Sequence, residues 1–159
     1  MRAAIFYPAS MEPIPPSPNP FVSVDCTVGI QAPIDEVFER WSRVEDFPKF
    51  MEGVREIRWL DEKKFSLKSE NDGEFYHSLC ELTLRIPDRR MAWRTLEGPD
   101  CSGVACFQNA GGGRTEVTLK MRYNPETGWH NLEQVEQRLG RNMKRFKELV
   151  EAGRMVKVH

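Results

Sequence analysis

The chain has 159 residues, 40% of them hydrophobic and 30% charged, with a formal net charge of −1. This balance describes one water-soluble globular domain with enough chain to bury a sizeable core. It excludes a dedicated nucleic-acid binder, which carries a clear basic excess, and no run approaches the roughly 18 apolar residues that a membrane-spanning helix needs.

Taken in order, the first stretch stands apart. Residues 1–20 hold Pro8, Pro13, Pro15, Pro16, Pro18 and Pro20. Each proline removes a backbone donor and fixes φ, so this segment reads as a disordered leader. Its AAIFY run is too short for the core of a signal peptide, and Met11 could serve as an alternative start. The folded domain is expected over residues 21–153, with 154–159 as a tail. From Val22 to Ile30, Val22, Val24, Cys26, Val28 and Ile30 alternate with Ser23, Asp25, Thr27 and Gly29, which predicts a half-buried strand. Pro33 suits the first position of a helix, Asp35 and Glu36 its first turn, and Val37, Phe38 and Trp41 its apolar face. A second short helical turn is expected over Glu45–Phe50, interrupted near Pro48 and ended by Gly53.

Six strands should follow. They are placed at Val54–Leu60, Lys64–Glu70, Glu74–Ile86, Arg90–Leu96, Ser102–Asn109 and Arg114–Tyr123. The turns between them carry Asp61-Glu62-Lys63, Asn71-Asp72-Gly73, Pro87-Asp88, Gly98-Pro99-Asp100 and Gly111-Gly112-Gly113. Consecutive strands joined by such short turns make an antiparallel sheet.

The last element is the longest. Over Trp129–Gly153, Leu132, Val135, Leu139, Met143, Phe146, Leu149 and Val150 form one stripe at helical spacing. Lys144–Glu148 and Lys147–Glu151 can pair on the outer face, and Gly153 is the expected stop. The cluster from Arg141 to Lys147 reads as the wet side of this helix. The predicted fold class is α+β, in the order β-α-α-β6-α, with a bent antiparallel sheet wrapped around the long C-terminal helix.

The chemistry legible in the residues is sparse. Cys26, Cys80, Cys101 and Cys106 form no C-x-x-C pair and have no histidine at zinc-ligand spacing, so they read as reduced core thiols of a cytoplasmic protein, with no metal expected. His77 has the parity of the solvent face of its strand, His130 opens the long helix and His159 is terminal. The triple glycine lacks the lysine and the strand-to-helix setting of a phosphate loop, and no G-x-S-x-G is present. Neighbouring carboxylates such as Asp35/Glu36 and Glu45/Asp46 are explained by helix starts.

Several stretches together resemble a known family. Ile30-Gln-Ala-Pro-Ile-Asp-Glu-Val-Phe, Trp41 and the run from Val44 to Val54 are similar to the opening of polyketide cyclase/dehydrase and coenzyme Q-binding START-type domains, in the Bet v 1-like helix-grip superfamily. The stretch Pro87–Arg94, Gly98, the run Gly103–Phe107 and the run Gly113–Leu119 resemble its later strands. One departure is Ser78 before Cys80, where relatives often carry a Trp two residues before a small residue. The resemblance implies a cavity between sheet and long helix that takes a hydrophobic small molecule (a lipid, a quinone or a polyketide-like compound) with no cofactor and no shared catalytic residue. It leaves the oligomeric state open.

Strand parity and the helix stripe then nominate the lining. Tyr76, Ser78 and Cys80 share one strand face; Trp93, Phe107, Leu119, Met121 and Tyr123 come from other strands. Met143 and Phe146 face them from the helix, and Phe50 and Met51 stand at the entrance. An apolar wall with a few polar handles is what a small-molecule site requires. A carrier or sensor is the first reading. An aromatic polyketide cyclase is the second, and it would need an inward acid or base, for which Tyr76, Tyr123 and Arg94 are the candidates.

Overall fold

The computed structural model describes residues 21–127 and 132–158. The leader over residues 1–20, the helix start expected at Trp129, and His130 and His159 fall outside the described residues. The observed order is β1 (Val22–Ile30), α1 (Ile34–Ser42), a 3-10 helix (Val44–Lys49), β2 (Val54–Trp59), β3 (Lys64–Asn71), β4 (Glu74–Ile86), β5 (Arg90–Glu97), β6 (Cys101–Gly111), β7 (Arg114–Tyr123) and α2 (Leu132–Val158). The strands form one antiparallel sheet in the order β1-β7-β6-β5-β4-β3-β2. The first strand therefore pairs with the last, and the two connecting helices lead from one edge of the sheet to the other. This is the helix-grip arrangement that the order of elements predicts.

Local chemistry sets the boundaries. In β1, Val24 and Ile30 are buried while Ser23, Asp25 and Thr27 are exposed, so alternation decides which side faces the core. The β3–β4 connection is a two-residue hairpin in which Asp72 (φ 52°) and Gly73 (φ 82°) both take the left-handed region, the requirement of a type I′ turn. At the β2–β3 turn, the Asp61 carboxylate accepts from the backbone N–H groups of Lys63 and Lys64, both at 2.8 Å. Breaks in register between Leu79 and Cys80 and between Leu82 and Leu84 on β4 bend the long hairpin with β5.

One expected boundary is corrected. The long helix does not stop at Gly153 but continues to Val158. Gly153 serves there as a point of close approach: a Cβ on it would lie 3.1 Å from the Arg40 guanidinium at the end of α1. Of the two expected ion pairs on this helix, Lys147–Glu151 forms at 2.6 Å, and Glu151 also accepts from the Gln31 backbone N–H at 2.8 Å. Lys144–Glu148 is not among the ion pairs of the described residues.

The core is closed by aromatic rings from three elements. Trp41 of α1 lies with its ring centroid 5.1 Å from Phe47, 5.8 Å from Phe50 and 5.1 Å from Phe146, the last of these edge-on at 88°. Such edge-to-face and tilted pairs add to simple area burial. Met143, Phe146 and Val150 are buried on the sheet side of α2, and Asn142 lies beside them. Phe146→Ala should therefore cost about 3–5 kcal/mol in denaturant unfolding, against less than about 0.5 kcal/mol for Lys144→Ala on the exposed face. Equal effects would place the helix on the surface.

Two glycines provide a second check with opposite signs. Gly103 pairs with Trp93 across β5–β6, and a Cβ on it would lie 2.4 Å from the indole. Gly103→Ala should displace the Trp93 ring, shift its fluorescence and destabilise the protein by about 1–3 kcal/mol. Gly140, inside α2, has open space where its Cβ would stand. Gly140→Ala should raise stability by about 0.5–1 kcal/mol.

Candidate ligand cavity

The aromatic knot fills one end of the space between sheet and helix. Toward the N-terminal half of α2 a first chamber lies between helix and sheet, and a second adjoins it between the sheet and the 3-10 helix with the segment that follows it. The first is walled by Val24, Leu119, Met121 and Tyr123 from β1 and β7, by Val135, Arg138, Leu139 and Asn142 from α2, and by Met51 to Val54. The second lies deeper under β3–β6, walled by Phe65, Leu67, Ser78, Cys80, Trp93, Thr95 and Cys101, with Phe47 and Pro99 closing it. Met51, Val54, Ser69 and Met121 belong to both and form the partition. About 80 Å³ of each chamber is open to the centre of a water molecule.

Residues 50–53, between the 3-10 helix and β2, form the strap over the first chamber. Gly53 holds φ 85°, and a Cβ there would stand 2.7 Å from the Glu70 carbonyl oxygen, so only glycine fits. Its carbonyl accepts from the Glu70 N–H at 2.7 Å, which ties the strap to β3. On the helix side, the Glu52 N–H donates to Asn142 Oδ1 at 3.0 Å. The Glu52 carboxylate takes both donors of Arg141, at 2.6 and 3.1 Å, with Arg138 Nε at 3.9 Å and Arg145 at 3.8 Å. The Arg141 hydrogen bonds, aided by the charges of the three guanidiniums against some opposing desolvation, hold the Glu52 carboxyl below its usual range.

Polar groups inside the cavity are few. Ser69 and Ser78 are buried on the inner face, and Thr95 donates to the Cys101 carbonyl at 2.9 Å. Burial pushes the Cys80 thiol up to about 11 and the Cys101 thiol up to about 12, so neither is a thiolate at neutral pH. Burial, with the Glu136 charge added, also raises the Tyr123 phenol. The space opened by the small Ser78 is partly taken by the β5–β6 turn: its Oγ stands 2.7 Å from where a Gly98 Cβ would be.

The nominated residues divide by position. Met51, Ser78, Cys80, Trp93, Leu119, Met121 and Tyr123 line the chambers. Phe50, Met143 and Phe146 sit in the aromatic core beside them, and Phe107 packs edge-on against Phe38 at 5.1 Å. Tyr76 lines neither chamber, and its hydroxyl donates to Glu74 at 2.8 Å. Arg94 points outward and binds Glu81 at 3.0 Å, because the inward parity of β5 belongs to Met91, Trp93 and Thr95. His77 is exposed, as its parity predicts. Sequence reasoning passed over Arg138 and Asn142, although their spacing of three and seven from Val135 puts both on the stripe side of α2. It also passed over Glu52, Ser69 and the β5–β6 turn.

Among the described residues, no helix is long and apolar enough to cross a membrane. Residues 30–146 match the model of a family described as polyketide cyclase/dehydrase and lipid transport. An uncharacterised 17.2 kDa protein encoded between melC2 and rnhH in Streptomyces lincolnensis is 28% identical over 136 residues, covering 80% of this chain and 89% of that one. The crystal structure of DR_A0006 from Deinococcus radiodurans superposes with a TM-score of 0.70 at 27% identity, covering 83% of this chain and 99% of that one. The ZhuI aromatase/cyclase from a Streptomyces species superposes with a TM-score of 0.64 at 21% identity, covering 87% and 96%. With its fold, cavity and matched span in agreement, the chain belongs to the polyketide cyclase/dehydrase and lipid transport family.

Proposed function

We propose that this protein binds a hydrophobic small molecule, a lipid, quinone or polyketide-like compound, in the two adjoining chambers on the inner face of the sheet, the first of them closed by α2, and acts as a carrier or sensor in the cytoplasm. The observation that carries the reading is the pair of apolar chambers divided by two methionines. Unbranched thioether side chains repack at low cost, so Met51 and Met121 are suited to move aside and let one ligand occupy both spaces. The buried hydroxyls of Ser69 and Ser78 supply polar handles, since a buried hydroxyl without a partner costs roughly 1–3 kcal/mol.

A second reading, an aromatic polyketide cyclase, is favoured by one feature. The Tyr123 phenol lines an apolar chamber and stays protonated, which suits a general acid beside a folded poly-ketone chain. Turnover of a poly-ketone that disappears in Tyr123→Phe would select it over the carrier.

The carrier reading is tested by titrating the protein with Nile red, a neutral dye that brightens in apolar surroundings. Wild type should bind it saturably. Ser69 belongs to both chambers, so Ser69→Phe should weaken binding at least about tenfold while Ser69→Ala, which keeps the volume, changes it little. Circular dichroism confirms that both variants fold. No saturable binding by wild type, or equal binding by both variants, would remove the cavity from the function. Native mass spectrometry of protein purified from its own host would then identify any bound ligand directly.

A further inference from the structure

We propose that Arg138 recognises an anionic head group, and that the natural ligand is an amphipathic carboxylic acid with its apolar body in the chambers and its acid on this guanidinium. The inference rests on the cavity reading above and names the ligand class. It begins with helix periodicity. Val135, Leu139 and Asn142 face the first chamber from α2, and Arg138 occupies the same face, one turn from each of Val135 and Asn142. A cation has thus been placed where the stripe calls for an apolar residue. Its side chain is 20% exposed, which leaves little water to solvate the charge.

The one ion pair of Arg138 among the described residues, with Glu52, is long, and one of its donors is left over. Arg138 Nε has no hydrogen-bond acceptor among the described residues. The nearest carboxylate oxygen, Glu52 Oε1, stands 3.9 Å away, beyond hydrogen-bond length. Glu52 is already occupied, since Arg141 binds both of its oxygens. Glu70, the other carboxylate on the chamber wall, is held by Arg55. Three guanidiniums therefore face the single carboxylate of Glu52 at this mouth. An anion entering the chamber would give Arg138 Nε the acceptor it lacks.

The form of that anion follows from the neighbours. Arg141 and Glu52 already display the two-oxygen, two-donor pairing that a planar carboxylate makes with a guanidinium. A second carboxylate beside it reproduces the geometry for Arg138. The walls beyond, Leu119, Met121 and Leu139, offer apolar surface and no further charge, which suits an alkyl or aryl body. A neutral ester or quinone carbonyl can accept one hydrogen bond from Arg138 but brings no opposing charge.

The test compares an acid with its ester at neutral pH. Decanoic acid and methyl decanoate are each used to displace Nile red from the full chain. Wild type should release the dye at a concentration at least about tenfold lower for the acid. Arg138→Met should bring the acid to the level of the ester and leave the ester unchanged. Arg138→Lys, which keeps charge without the fork, should retain part of the preference. Lys144→Gln, which removes an exposed positive charge elsewhere on the helix, should retain all of it. Equal displacement by acid and ester in wild type, or a preference that survives Arg138→Met, overturns the proposal while the cavity reading stands. Failure of dye, ester and acid alike overturns both.

Discussion

The packing of Trp41 against three phenylalanines decides how far the long helix stands from the sheet. The four rings come from α1, from the 3-10 helix and its end, and from α2, and neighbouring centroids lie 5.0–5.8 Å apart. Rings of this size cannot be compressed, so they act as a spacer between helix and sheet. Beyond them α2 is held by Val150 and by the bond from Gln31 to Glu151. In the opposite direction the spacer has no counterpart. Small or flexible side chains, namely Val54, Ser69, Met51 and Met121, stand there instead of rings, and the chambers follow from that shortage of volume. The cavity is thus the consequence of a wedge at one end and small residues at the other. The buried Trp41 Nε1–H, which finds no acceptor among the described residues, shows that ring volume outweighs hydrogen bonding at this position.

The same wedge explains why the strap belongs to the site. Phe47 and Phe50 are anchored in the aromatic knot, and the next residues, Met51 to Gly53, must cross from the knot to the edge strand β2. That path runs along the mouth of the first chamber. Gly53 fixes its direction through the contact with Glu70, and Glu52 meets the guanidiniums of α2 on the other side. Core packing and the electrostatics of the entrance are therefore joined through three residues of chain.

Much of this fold was legible because its signals are local. Alternation placed β1, β4 and β7 to the residue, and left-handed turn residues marked the β3–β4 hairpin. Gly153 misled for a physical reason: glycine at a helix end and glycine at a close interhelical contact look alike in sequence, and only the position of Arg40 separates them. The cavity was harder. Parity says that Leu119, Met121 and Tyr123 point inward, and equally that Phe107 does, but whether an inward residue meets a void or another ring depends on partners far along the chain. Phe50 and Phe146 are core residues because Trp41 reaches them, which no spacing reveals. Arg138 and Asn142 are a different case. Their spacing from Val135 announced polar groups on the buried face, and reading the stripe only through its apolar members concealed them.

That pair alters how the charged side of the helix should be understood. Arg141 and Arg145 are about half exposed, as a solvated face would be, yet both are drawn toward Glu52 on the strap. Arg138 lies one turn further in and lines the chamber itself. The positive charges therefore form a gradient from solvent to cavity. Glu52 is held below the usual carboxylate range, so its tie to Arg141 is complete above that range and is lost as pH falls through the lowered value. At neutral pH the strap is consequently tied to α2 by charge, while Arg138 Nε stays without an acceptor among the described residues. An anion arriving from solvent meets Arg145 and Arg141 before Arg138, and each step inward exchanges water for a stronger field in a drier setting. A neutral apolar molecule gains nothing from this arrangement beyond burial. The electrostatics of the mouth thus select by charge before the chambers select by shape.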